Sequence, residues 1–243
     1  MRKALRFWFI FANILFAAIL AAASDGPETG GGGNTILLDG SYYLIDLFNA
    51  SQPDQAVIKA IQNHPEISRF VADPSPTNVQ KTAAEIFQKW GIDIGPFAFS
   101  RSESVPAGMA PVIKRPLSIQ TSQSEIEAAR FYSPYYLPVN AKVFQAAYYD
   151  GAGHSIKISE SIWAQTGPVS KLGLIIHENM RHLQIGLGHR FNDEILQKAT
   201  LIMLICRPQF RGYIVPLTIE EDIVYSKIID LSGRIESCLA EKP

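Results

Sequence analysis

Four of the five histidines of this chain fall between residues 154 and 189, and two of them flank a glutamate in an apolar segment. The segment reads LIIHENMRHLQIGLGH from Leu174 to His189. Neutral imidazoles bind zinc, and a nearby glutamate can take the proton from a metal-bound water. Residues of these types at this spacing therefore point to hydrolysis by a metal-activated water.

The order His177-Glu178-x-x-x-His182 resembles the H-E-x-x-H signature of the zincin metallopeptidases, with one residue inserted. The longer form is similar to that of the dipeptidyl-peptidase III family, in which both histidines bind zinc. The following Gly-Leu-Gly-His189 is similar to the end of the metzincin motif. The resemblance covers roughly residues 142–190. It implies that His177 and His182 hold zinc, that Glu178 is the general base and that His189 is the third ligand.

The inserted residue has a geometric consequence for the helix that carries the motif. Positions five apart on a regular α-helix face directions about 140° apart, so two such histidines do not easily share one ion. We therefore expect a π-bulge at residues 178–181, a distortion that is frequent at functional sites. Arg181 repels a cation unless a carboxylate of Asp150, Glu178 or Asp193 neutralises it.

Simpler interpretations of the same residues stay open. Apolar residues at three- and four-residue spacing predict a helix with one buried stripe: Leu172, Ile176, Met180, Leu183 and Leu187. Beside that stripe, His177 is also explained as a core histidine, and Glu178 with His182 as an ordinary surface pair. His189 is also explained as a helix cap.

Further residues are candidates for the same site. Glu194 and Glu221 are alternative third ligands to His189. Four tyrosines could donate a hydrogen bond to an oxyanion, although each is also explained by packing: Tyr148, Tyr149, Tyr213 and Tyr225.

The first residues have the pattern of an export signal. Arg2, Lys3 and Arg6 precede an uncharged apolar stretch at 7–23 that ends in Ala-x-Ala. We predict a signal peptide at 1–23, followed by a flexible glycine-rich leader at 24–34. The mature protein is then periplasmic or extracellular. In such an oxidising compartment Cys206 and Cys238 could form a disulfide, with two buried thiols as the alternative.

Composition excludes several classes of function. The chain has 243 residues, with 22 Lys and Arg against 23 Asp and Glu. It therefore lacks the excess of positive charge that would predict nucleic-acid binding. No later segment has the apolar length of a membrane span, so none is expected after cleavage. Nothing in the sequence specifies an oligomeric state.

Local patterns predict an α+β fold, with small antiparallel sheets or hairpins packed against several helices and a zincin-like C-terminal half. The expected regions are 35–123 and 124–243, which are either separate or parts of one domain, with a Pro-, Ser- and Gly-rich connection at 95–123. In the first region we expect a hairpin around Asp39-Gly40, a helical stretch at 53–72 that is broken at Pro65, and a helix at 77–90. In the second region we expect a hairpin formed by 142–149 and 154–163. Three helices should follow it, from Pro168 to about Gly186, at 192–206 and from Thr218.

The functional prediction is a secreted zinc-dependent peptidase or hydrolase acting on a peptide or a cell-wall peptide. The alternative is a non-catalytic exported envelope or interaction protein on a degenerate zincin-like scaffold. A third hypothesis is metal storage or sensing by the histidine cluster.

Overall fold

The structure is a computed structural model. It describes residues 33–71, 75–92, 109–110, 112–115, 119–120, 138, 141–151, 154–186, 193–208 and 224–241. The predicted signal peptide and almost all of the leader lie outside these residues. Within them, no helix combines the length and hydrophobicity that a membrane-spanning segment needs.

The first sheet has four strands: β1 (Asn34–Leu38), β2 (Ser41–Leu44), β4 (Ile119–Gln120) and β5 (Lys142–Gln145). Their order in the sheet is β2-β1-β5-β4, and the described pairs are antiparallel. The predicted hairpin around Asp39-Gly40 is confirmed. Both turn residues have positive φ, 48° and 78°, as a tight two-residue hairpin turn requires.

The second sheet has the order β3-β7-β6. Its strands are β3 (Val112–Arg115), β6 (Ala147–Asp150) and β7 (Ser155–Ser159). β6 and β7 form the expected antiparallel pair, whereas β3 joins β7 in parallel. The fold is therefore mixed α+β with small sheets, as predicted, but one sheet contains a parallel pair.

The predicted hairpin of 142–149 and 154–163 is wrong in two details. The chain leaves one sheet and enters the other at Ala146, so β5 and β6 are separate strands. The backbone N–H groups of Ala146 and Ala147 both donate to the carbonyl of Gly33, which pins this corner to the start of β1. At its other end, β7 stops at Ser159 and the chain enters a short helix, because the Ser159 side chain caps the next turn.

Apart from α3 (Glu160–Gln165), which takes the place of the end of the predicted strand 154–163, the helices match the predicted spans closely where the structure describes them. They are α1 (Pro53–Asn63), α2 (Pro76–Lys89), α3 (Glu160–Gln165), α4 (Pro168–Gly186), α5 (Asp193–Ile205) and α6 (Val224–Ala240). Two 3₁₀ segments, Ile45–Asn49 and Pro65–Val71, follow β2 and α1. The helix predicted from Thr218 is described only from Val224, and Thr218 itself lies outside the described part.

Helix α4 is the central element. It packs against α2, α5, β2 and β6, and its residues from Val169 to Leu183 are all buried. A helix enclosed on every side is normally apolar all round. Polar residues on α4 therefore lie in the interior of the molecule, where each needs a partner or a function.

Cys206 and Cys238 are joined by a disulfide in the structure. Cys206 directly follows α5, and Cys238 lies near the end of α6. The bond therefore ties α6 to α5, which in turn packs against α4.

His64, which ends α1, makes the stability of the fold depend on pH. It is buried, and its Nε2 lies 3.0 Å from the carbonyl oxygen of Met203. Burial is the main reason why the pKa of His64 lies below its ordinary value. A histidine with a lowered pKa binds fewer protons in the folded chain than in the unfolded chain, so stability is lost as pH falls below about 6.5.

We expect the contribution of His64 to the free energy of unfolding to fall, by at most about 1.4 kcal/mol per pH unit, as the pH is lowered below about 6.5. Urea unfolding of the wild type and of His64→Gln at a series of pH values tests this, because glutamine can still donate to Met203. The wild type should lose more stability on acidification than the glutamine variant does. An equally steep profile in both proteins would assign the pH dependence to other groups.

Candidate functional site

Helix α4 carries three of the predicted site residues into the protein interior. His177 and Glu178 are 0% exposed and His182 is 1% exposed. The interpretation of Glu178 and His182 as a surface pair is therefore wrong. His189, the predicted third ligand, lies outside the described residues.

The helix is regular where it passes through the motif. It is α-helical from Pro168 to Gly186, so the π-bulge expected at 178–181 is absent from this described helix. The five-residue separation then turns His177 and His182 about 140° apart and spaces them about 7.5 Å along the axis. The expectation that a bulge brings the two imidazoles to one side is not met.

The surroundings of the two histidines differ accordingly. His177 faces Asp46 of the first 3₁₀ segment, with 2.8 Å between Nδ1 and Oδ2. The ring of His182 instead contacts the ring of Tyr149 on β6, with 4.9 Å between centroids. Among the described residues, no group of three or more metal-binding side chains is close enough together to hold an ion.

The pair of Asp46 and His177 is completely buried. Burial alone would lower the pKa of His177, but the charge and hydrogen bond of Asp46, with a further contribution from Glu178, hold that pKa above its ordinary value. Arg181 acts in the opposite direction. The carboxylate of Asp46 thus fixes the orientation of the imidazole and makes it more basic.

The other ring nitrogen of His177 has no hydrogen-bond partner in the described structure, although it is buried. With Nδ1 donating to Asp46, Nε2 has a free lone pair when the imidazole is neutral and carries a proton when it is charged. A buried polar atom without a hydrogen-bond partner costs free energy. Binding of a proton or a metal ion to this nitrogen would therefore be favourable.

Glu178 lies against the start of β1. Gly33 has a φ of 63°, and a Cβ atom at this position would clash with Oε1 of Glu178 and with the carbonyl oxygen of Ala147. Only glycine leaves room for the carboxylate here. The residue where the predicted leader meets β1 therefore forms part of the wall around Glu178.

Asn179 anchors part of the connection at 95–123. Its Oδ1 accepts a hydrogen bond from the backbone N–H of Ala110 at 3.0 Å, and its Nδ2 donates to the carbonyl of Ile175 at 2.8 Å. Gln80 on α2 donates to the carbonyl of Ala110. Both backbone groups of Ala110 are thus paired, and this residue is fixed between α2 and α4.

Five polar or charged residues of α4 are buried in little more than one turn: His177, Glu178, Asn179, Arg181 and His182. Burying such groups opposes folding unless they are paired. Concentrations of buried ionisable groups with shifted pKa values are typical of functional sites. This segment is therefore the candidate functional site.

Tyr149 is a predicted tyrosine that the described structure places against the motif, through its contact with His182. Its hydroxyl lies 3.2 Å from Nδ1 of His154. Burial, with a smaller effect of the nearby Asp150 charge, raises the pKa of Tyr149 to about 12, so the hydroxyl stays protonated and can donate a hydrogen bond. Tyr148 is half-buried on the same strand.

Among the other predicted candidates, only Glu194 has a described side chain, and that side chain forms an ion pair with Lys198. The carboxylate of Glu194 lies 3.6 Å from the amine of Lys198, one turn along α5. Glu221 and Tyr213 lie outside the described residues, and only the backbone of Tyr225 is described.

Asp46 is the residue of the candidate site that sequence reasoning missed. It is separated from His177 by 131 positions. Its one local signal is its place between Leu44-Ile45 and Leu47-Phe48, since a carboxylate inside an apolar run has to find a buried partner.

Comparisons with protein-family models, curated proteins and solved structures find no match to this chain. Its function has to be inferred from its own geometry.

Proposed function

We propose that this protein is an exported zinc-dependent hydrolase of peptides, with its site on α4. The observation that carries the proposal is the Nε2 atom of His177, which is buried and unpartnered while Asp46 holds the opposite nitrogen. Histidine ligands of metal ions characteristically give their second ring N–H to a carboxylate in this way.

The residues fit zinc in part. His177 would hold the ion through Nε2, and imidazole is a ligand that zinc favours. His182 would be the second ligand only if the helix opens by one residue between the two histidines, and His189 would be the third. When bound, zinc polarises a carbonyl group and lowers the pKa of a water molecule.

The chain's own residues have defined roles in this proposal. Glu178 accepts the proton of the attacking water, and the close approach of Gly33 restricts where its carboxylate can lie. Asp46 keeps the imidazole of His177 in one tautomer. A peptide or cell-wall peptide is the proposed substrate because of the predicted export.

The second candidate function is a non-catalytic exported envelope or interaction protein on a degenerate zincin-like scaffold. The regular α-helical path through 178–181 favours it, since the two histidines then face different neighbours.

Metal analysis separates the two functions. The chain is purified without chelator or histidine tag, and its zinc content is measured beside that of His177→Ala/His182→Ala. A matched control is His64→Gln, because His64 directly follows α1 and pairs with the carbonyl oxygen of Met203. The zinc proposal predicts about one zinc per chain in the wild type and in the control, and none in the double variant.

Glu178→Gln then tests the chemistry. We expect this variant to retain zinc but to lose at least about a hundredfold in the rate of peptide hydrolysis, because glutamine cannot accept the proton. If folded wild-type protein binds no zinc after loading and dialysis, the zinc hydrolase proposal fails and the non-catalytic candidate remains.

A further inference from the structure

Lys171, near the start of α4, is a buried cation without a counter-ion in the described structure. It is 6% exposed, and its amine lies 5.5 Å from the centroid of the Trp163 ring on α3. No described residue accepts a hydrogen bond from this amine or forms an ion pair with it. An aromatic ring face offers only part of the stabilisation that a carboxylate would give a buried amine.

The charged side chain that acts on Lys171 is another cation, Lys114 on β3. Burial first, and then the positive charge of Lys114, lower the pKa of Lys171. The fold brings these residues together because Lys114 is in register with Ile158, near the point where β7 passes into α3. The lysine on β3 therefore lies near the loop and helix that lead into α4.

The first turn of α4 adds positive potential to the same region. Helix α4 begins at Pro168, and the N–H groups of a first helical turn have no partner within the helix. Long helical side chains lean towards the N-terminus of their helix, and the contact of Lys171 with Trp163 on the preceding helix agrees with that direction. Two lysines and a helix N-terminus thus belong to one region of the fold, and no described carboxylate forms an ion pair with either lysine.

We propose that Lys171, Lys114 and the start of α4 form a binding site for an oxyanion, a carboxylate or phosphate group of a small ligand, with Trp163 as its apolar wall. A bound anion would supply the negative charge that the buried amine lacks. The site is independent of the zinc proposal, since Lys171 precedes Glu178 by seven residues, about 10 Å along the helix.

Fluorescence titration tests the site, because Trp163 lies against the binding amine. The purified chain is titrated separately with inorganic phosphate and with acetate, at an ionic strength held constant with sodium chloride. We expect saturable binding of one of the two anions. Tighter phosphate binding would indicate a phosphorylated ligand, and tighter acetate binding a carboxylate ligand. Trp163→Phe should remove the fluorescence change.

Three lysine variants give the decisive comparison. Lys171→Met should weaken anion binding about tenfold or more, since a hydrogen bond to a charged group is lost. Lys114→Met should weaken binding severalfold, whereas Lys142→Met, an exposed lysine on β5, should bind as the wild type does. Unchanged affinity in Lys171→Met, or no saturation of the wild type by either anion, overturns the proposal.

Stability in anion-free buffer distinguishes a binding role from a structural one. If Lys171 is kept for a ligand, Lys171→Met should unfold at the same or a higher urea concentration than the wild type, because an uncompensated buried charge is removed. A clear loss of stability would mark Lys171 as a structural residue and overturn the proposal. Lys114→Met changes an exposed position, so its effect on anion binding can be measured without a loss of folding.

Discussion

Replacing Asp46 by alanine is expected to lower the free energy of unfolding of the metal-free chain by about 3 kcal/mol. Asp46 and His177 are both fully buried and lie 2.8 Å apart. Alanine at position 46 therefore leaves a cavity and leaves Nδ1 of His177 without its hydrogen-bond partner. Urea unfolding in the presence of EDTA measures the effect. EDTA keeps a bound ion from adding its own stabilisation.

Two further variants separate the contributions at this position. Asp46→Asn keeps an acceptor for Nδ1 while removing the charge, so its loss should be smaller, about 1–2 kcal/mol. Asp230→Ala, at an exposed position of α6, should change stability by less than about 0.5 kcal/mol. Equal stability of Asp46→Ala and the wild type would show that the pair contributes nothing to folding.

Asp46 also bears on the proposed zinc site. If the carboxylate orients His177 for a metal ion, Asp46→Ala should weaken zinc affinity about 10- to 100-fold, and Asp46→Asn should weaken it less. Competition with a chelating dye measures this affinity. A stability loss with unchanged zinc affinity would restrict Asp46 to a structural role.

Removing the disulfide between Cys206 and Cys238 is expected to lower the free energy of unfolding by about 3.5 kcal/mol. The bond closes a loop with a sequence separation of 32, and the loss of that constraint increases the conformational entropy of the unfolded chain. Urea unfolding of Cys206→Ala/Cys238→Ala against the oxidised wild type measures the difference.

Reduction provides the control for this second prediction. Dithiothreitol should lower the stability of the wild type and leave the double alanine variant unchanged. Because the bond ties α6 to α5, proteolysis should cut α6 earlier in the reduced protein. Insensitivity of the wild type to the reductant, with thiols titrating as free in the unfolded oxidised sample, would show that the bond does not form.

Much of the local structure follows from sequence because its causes are local. Proline at a first helical position and regular apolar spacing predict α1, α2 and α4 to within a residue or two. The turn at Asp39-Gly40 is specified by two residues that tolerate positive φ. These preferences act within one turn or one hairpin, so they do not depend on the rest of the fold.

The assignment of strands to sheets depends on distant residues. The stretch from Lys142 to Asp150 looks continuous in sequence, but its two halves pair with β1 and with β7. The corner at Ala146 is fixed by the carbonyl of Gly33, more than a hundred residues away. Alternation of apolar and polar side chains predicts that a strand forms, but it does not predict which strand will pair with it.

The sequence by itself determined that His177, Glu178 and His182 lie on one apolar helix in a mixed α+β chain, because helix formation and residue spacing are local properties. Only the tertiary structure decided that all three are buried, that Asp46 faces His177, and that Lys171 lies over Trp163 without a described counter-ion. Burial and charge pairing depend on contacts between segments that are far apart in the chain. These contacts form only when the whole core forms.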